Sequence, residues 1–184
     1  MESRQTRVFD ALIAPALGRL FGLACRLAGN VADAEDLVQD TCLKACEKLE
    51  LLEAAQHPER WLLRVLYNHF VDGTRRRERS PVAVLRNGAD VAALAEAAAG
   101  DADPGDARDD ERAFACALAS LSPSHRAILS LRAEGYALGE IEAITGIGRD
   151  VLRARLQRAR ASLARHLEEQ ASEGGSHARL GSGR

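Results

Sequence analysis

Aromatic residues are scarce in this 184-residue chain: 4% of positions, with one Trp, two Tyr and four Phe. Strand-forming runs are correspondingly few, and Ala, Leu, Arg and Glu dominate, which points to an all-helical protein. Cysteine is limited to Cys25, Cys42, Cys46 and Cys116. No CxxC pair or Cys/His knuckle occurs, and His57, His69 and His125 stand at no zinc-like spacing from the thiols. Reduced thiols in a cytoplasmic protein are expected, with no metal and no cofactor. No signal peptide and no apolar run long enough to span a bilayer is apparent, so no membrane insertion is expected. No nucleophile–base pair, phosphate loop or convincing carboxylate pair appears, which argues against an enzyme. Excess charge is also missing: the net charge is −2, which excludes a uniformly basic coat.

What is present is a 46% hydrophobic chain, enough to bury a core, in which acidic and basic stretches are segregated. The most informative stretch runs from Ser122 to Glu168. Ser122-Pro123 reads as a cap followed by a first helical position, and Ala127, Ile128 and Leu131 continue a helical spacing. Gly135 ends that helix. A short second helix carries Leu138, Ile141 and Ile144, and Gly146-Ile147-Gly148 forms a tight turn. A long basic helix then starts near Arg149. Two short helices, a glycine-containing turn and a basic third helix form a helix-turn-helix.

On the third helix, Leu152, Leu156, Ala159, Leu163 and Leu167 make the packing stripe. The opposite side carries Asp150, Ala154, Gln157, Arg158 and Arg165, flanked by Arg149, Arg153 and Arg160 on one side and by Arg155 on the other. Guanidinium groups suit guanine edges and phosphates. Arg149, Asp150 and Arg153, in the first turns, are candidates for base contacts, and Arg155 and Arg158 for phosphates. A solvated basic helix in an ordinary bundle is the competing reading.

Upstream, Val8 to Ala28 is helical in pattern, with Pro15 starting or kinking the main helix and Gly29-Asn30 ending it. A second helix opens at Val31 and buries Leu37, Val38, Thr41, Cys42, Ala45 and Leu49. It leaves Glu35, Asp36, Gln39 and Asp40 outward. Dipole compensation alone explains early acids on a surface helix. Leu51 to Glu59 reads as a connection, and Pro58 can start a third helix with the stripe Trp61, Leu62, Val65, Leu66, His69 and Phe70. That helix ends in Arg75-Arg76-Arg77-Glu78-Arg79, more positive charge than a helix dipole needs and suited to a phosphate-binding edge. From Ser80 the pattern dissolves into Ala, Gly and Asp, with a short helix expected at 91–98. The expected organisation is a helical domain over 1–79, a flexible acidic linker over 80–110 and a helix-turn-helix domain over 111–169. A disordered tail is expected over 170–184.

Three segments, in order, resemble the extracytoplasmic-function group of bacterial sigma factors. Ala34-Glu35-Asp36-Leu37-Val38-Gln39-Asp40-Thr41 resembles a segment of that family's region two. Trp61-Leu62-Leu63 followed by Asn68, Asp72 and Arg75-Arg76-Arg77 resembles a second. Arg153 to Arg160 resembles the end of the region-four helix-turn-helix. The resemblance implies a non-enzymatic protein that binds core RNA polymerase, recognises the minus-thirty-five element with region four and melts the minus-ten element with region two. It implies that Glu35, Asp36, Gln39 and Asp40 dock on the polymerase clamp. Asn68, Asp72, Arg75, Arg76 and Arg77 then lie near the non-template strand, and an anti-sigma factor is a further possible partner. The chain departs from the family pattern at Gly148, Val151, Tyr67 and Gly73, and the loop before Trp61 is short. A DNA-binding regulator that ignores polymerase would have no need of the exposed acids. A helical adaptor would have no need of the arginine face.

Overall fold

The structure is a computed structural model that describes residues 4–79 and 114–180, with backbone alone for Glu78 and 170–180. The linker expected at 80–110, and the helix within it, lie outside the described residues. Every described element is helical. The first, α1 (Arg4–Val8), runs through a π turn (Phe9–Ile13) and a 3-10 turn (Ala14–Ala16) into α2 (Leu17–Ala28). The irregularity has a local cause: Pro15 lacks an N–H and its ring presses on the preceding turn, so the ladder rewinds around it. Within the run Arg4–Ala28 an 18-residue window reaches a mean hydropathy of 1.6, enough to cross a membrane by length and composition alone. Its most apolar side is committed to packing, because Ile13, Leu20, Leu23 and Leu27 are fully buried in the core.

Gly29 closes α2 in the left-handed region (φ 81°), its N–H reaching the Cys25 carbonyl at 3.0 Å. Asn30 then caps α3 (Val31–Glu47) by accepting from the Asp33 N–H at 2.8 Å. The core side of α3 is Ala34, Leu37, Thr41 and Ala45; the buried Thr41 hydroxyl is satisfied by donating to the Leu37 carbonyl at 2.8 Å. The connection expected after Leu51 contains a short helix instead, α4 (Leu49–Glu53), anchored by the fully buried Leu52 and by an Arg4–Glu53 ion pair. Pro58 opens α5 (Pro58–Glu78), as its fixed φ favours.

The second half begins with a helical segment over 114–119, followed by α6 (Pro123–Ala133), α7 (Leu138–Thr145) and α8 (Arg149–Leu180). Ser122 precedes α6 as expected, but its side chain makes no capping bond; its carbonyl receives the Arg126 N–H instead. Glu140 caps α7 by accepting from the Ala137 N–H at 2.8 Å. Gly146 ends α7 at φ 71°, and the Gly148 carbonyl receives the first helical N–H of α8, from Leu152, at 3.0 Å. Helix α8 continues through 170–180, where a disordered tail is expected from Gly174-Gly175-Ser176. Propagating a nucleated helix adds one hydrogen bond per residue ordered, so the packed first turns carry the later ones.

The two halves do not stand apart. Helix α2 packs on α3, α5 on α3, and α8 on α6 and α7, while α5 also packs on α7 and α2 on α6. One apolar cluster therefore runs through both halves, from Leu20, Leu27, Leu62 and Leu66 to Ile128, Ile141, Ile144 and Leu152.

Candidate nucleic-acid and polymerase interfaces

Three surfaces follow from this frame. On α3, residues advance about 100° each, so the buried Ala34, Leu37, Thr41 and Ala45 define one side and the opposite side is fixed by geometry. Glu35, Asp36, Gln39 and Asp40 are all exposed there. Leu43, 57% exposed, falls in the middle of their arc and points directly away from the core. Among the described residues no Lys or Arg pairs with Glu35, Asp36 or Asp40; the ion pairs nearby use Lys44 with Glu47 and Arg77 with Asp33. The result is an uncompensated acidic ring around an apolar centre. The sequence reading found the acids and missed Leu43, which the spacing Asp36, Asp40, Leu43 would have placed on the same face.

At the C-terminal end of α5, Asn68, Asp72, Arg75 and Arg76 are exposed within an arc of roughly 100°. Arg75 Nη1 lies 3.8 Å from Asp72 Oδ1, and Arg76 Nε donates to the Asp72 carbonyl at 3.4 Å. Arg77 is turned to the other side of the helix, where Nη1 holds Asp33 Oδ2 at 2.9 Å. It braces the start of α3 and does not share the face of its two neighbours.

The third surface is the first half of α8. Leu152, Leu156 and Ala159 are buried as the stripe requires, and Leu163 is partly covered. Arg149 Nε is paired with Glu142 Oε2 of α7 at 2.7 Å, and its guanidinium lies across Gly139, where a Cβ would sit 3.2 Å from Nη2. Arg153 Nη1 reaches Asp150 Oδ1 at 2.9 Å, one turn back, with Asp150 almost fully solvated. Arg158 is exposed. Arg155 is different: half-buried, it donates to Ser124 Oγ of α6 at 2.8 Å and so ties α8 to α6 instead of standing beside Arg158. Two further features of this surface escaped the sequence reading. Val151 is 49% exposed in the first turn. A groove of about 430 Å³ between α8 and the α6–α7 turn is lined by Arg132, Arg153 and Arg160 over Leu138 and Leu156, with Gln157 beside them. Arg132 comes from a different helix, so no spacing along α8 could have revealed it. Among the described residues no group of three His, Cys, Asp or Glu could hold a metal ion.

Residues 12–80 match the family described as Sigma-70 region 2. The chain is 34% identical over 169 residues to the ECF RNA polymerase sigma factor SigE of Mycolicibacterium smegmatis, covering 90% of this chain and 63% of that protein. It is 33% identical to the ECF RNA polymerase sigma factor SigL of Mycobacterium tuberculosis, covering 82% of this chain and 83% of that one. The chain belongs to the extracytoplasmic-function group of sigma-70 sigma factors. The sigma factor RpoE of Bartonella quintana, solved in complex with the anti-sigma factor NepR, is similar in structure. It has a TM-score of 0.65 at 29% identity, with 87% of this chain and 96% of that one covered. The all-helical sigma-factor architecture, one region-two half and one region-four half, is thus common to this sigma factor and its neighbour.

Proposed function

We propose that this sigma factor binds core RNA polymerase through the α3 face and directs transcription initiation by reading promoter DNA with α5 and α8. The observation that carries the reading is the acidic ring of Glu35, Asp36, Gln39 and Asp40 around the exposed Leu43. Charged groups surrounding an apolar centre make a protein-binding patch, and unpaired carboxylates select a basic partner. A regulator that acts without polymerase has no use for it. The protein does no chemistry of its own, and a cytoplasmic polymerase is its working partner. The known neighbour's complex with NepR supports an anti-sigma factor as a second partner.

In this reading 1–79 and 111–169 are the two functional units. Asn68, Asp72, Arg75 and Arg76 follow the non-template strand at the minus-ten element, with Arg77 holding their helix against α3. In the minus-thirty-five major groove, Arg149, Asp150 and Arg153 contact base edges, and Val151 adds an apolar surface suited to a thymine methyl. Arg158 takes phosphates together with Arg132 and Arg160 of the groove, while Arg155 acts by fixing the angle of α8. Core binding decides the reading. Reversing Asp36 and Asp40 to Lys should abolish capture by purified core polymerase with helicity intact, because both side chains are exposed. Full affinity in that variant would overturn the assignment of this face.

A further inference from the structure

We infer that Cys42 and Cys46 of α3 form a two-coordinate binding site for a soft monovalent cation of the Cu(I) class. The two residues stand four apart on one helix, so their side chains lie on the same side of it, one turn from each other. Both are partly exposed at the edge of the core, and both thiols are free. Cys46 lies within electrostatic reach of Cys42. Of the other thiols, Cys25 is buried on α2 and Cys116 belongs to the second half of the chain. The polymerase and promoter surfaces leave the pair on α3 without a task.

The spacing decides between a disulfide and a bridging ion. Helical residues four apart hold their Cβ atoms about 5–6 Å apart, whereas a disulfide needs about 3.5–4.5 Å. Closing an S–S bond here would require α3 to distort where Thr41 and Ala45 are fully buried. An ion between the two sulfurs removes that demand. Two metal–sulfur bonds in line, each of about the zinc–sulfur length of 2.3 Å, span roughly 4.6 Å between the sulfurs. Side chains with Cβ atoms at helical spacing reach that separation by choice of rotamer alone.

The number of ligands selects the ion. Among the described residues no group of three His, Cys, Asp or Glu converges, so the pair has no third ligand there. Its neighbours one turn away on α3 are Val38, Gln39, Leu43 and Ala45. His69, from the packed α5, comes near Glu47, which lies about 100° around α3 from Cys46. Structural zinc takes four ligands, and calcium or magnesium takes oxygens. Thiolates select Cu(I), whose filled d shell accepts two sulfurs in line. Loading is a proton exchange: both S–H protons leave to solvent, two Cu–S bonds form and no electron is transferred. Two thiolates and one Cu(I) leave a single negative charge. It sits at the rim of the α3 face, because Cys42 follows Gln39, and Cys46 follows Leu43, by three residues.

Cation binding needs no polymerase, so its test is separate from the sigma reading. The reduced full-length chain is titrated anaerobically with Cu(I) held in a chromogenic bicinchoninate buffer, and the loaded wild type is measured by X-ray absorption. Wild type should take up one Cu(I) per chain, with two sulfur neighbours. Cys42→Ser and Cys46→Ser should each weaken binding by more than the roughly 100-fold that loss of an outer-shell partner costs, with helicity unchanged. Cys116→Ser should bind as wild type does. The sulfur count is read on wild type, so it decides even where a variant fails to fold. Absence of uptake by wild type, three or four sulfur neighbours, one ion shared by two chains, or uptake retained in Cys42→Ser or Cys46→Ser overturns the inference. Displacement of bound Cu(I) by an equal concentration of Zn(II) overturns it as well.

Discussion

Three arginines of α8 should fail in three different ways when replaced by alanine. Arg153 pairs only with Asp150, and the side chains are 65% and 95% exposed, so losing that pair costs at most a few tenths of a kcal/mol in folding. Its removal should appear in DNA binding instead, as about 1–3 kcal/mol at one base position, or roughly 5- to 150-fold in preference. Arg158 is exposed and has no base-reading geometry in this account, so Arg158→Ala should weaken all sequences alike. It should reduce the slope of log affinity against log salt by roughly 0.9. Arg155 is committed to Ser124 at 2.8 Å and is half-buried, so Arg155→Ala should cost about 1–2 kcal/mol of stability. Its salt slope should stay close to the wild-type value. The assay is binding of the full chain and each variant to a promoter library at two salt concentrations, with urea denaturation alongside. Intact base preferences in Arg153→Ala, or altered preferences in Arg158→Ala, would refute the facing of this helix.

Gly73 sits in the interior of α5, where a Cβ would make only an ordinary van der Waals contact, with Arg77 Nη2 at 3.7 Å. Gly73→Ala should therefore raise stability by about 0.5–1 kcal/mol in a thermal or urea melt. The Tyr136–Glu59–Arg19 group makes a pH prediction. The Arg19 hydrogen bond holds Glu59 below its ordinary value of 4.5, so its contribution is complete above that pH and is lost as pH falls through the lowered value. Burial, then the Glu59 hydrogen bond, pushes Tyr136 up to about 12, so its contribution is complete below pH 10 and is lost as pH rises through about 12. Urea midpoints across pH should show both limbs, and Tyr136→Phe should remove the alkaline one.

Much of the helical framework is legible in the residues, because its boundaries are set by local chemistry. Gly29-Asn30 marks the break between α2 and α3, Pro58 and Pro123 mark helix starts, and Gly146 marks the turn before α8. The docking of the halves has no such local mark. The clue to it lies in α5, where Trp61, Leu62, Leu63, Val65, Leu66, Tyr67, His69 and Phe70 cover an arc of roughly 240°, too wide for a helix packed on one side. Reading only the Leu62, Leu66, Phe70 stripe leaves Leu63 and Tyr67 unexplained, and both are buried. The turns at Phe9–Ala16 follow from one proline, but their type depends on how the surrounding helix is held. Charge placement was half legible. The exposed acids follow from α3 periodicity, whereas Arg77 and Arg155 are drawn inward by Asp33 and Ser124, partners 44 and 31 residues away.

Initiation itself tests the central claim most directly. Purified core polymerase should be given this chain, or its Asp36→Lys/Asp40→Lys variant, and a pool of genomic promoter fragments, and the transcript 5′ ends mapped. The account predicts that wild type yields discrete start sites, each with shared elements near minus ten and minus thirty-five, and that the variant yields none while remaining folded. Start sites equally abundant with the variant, or identical with and without wild type, would contradict it.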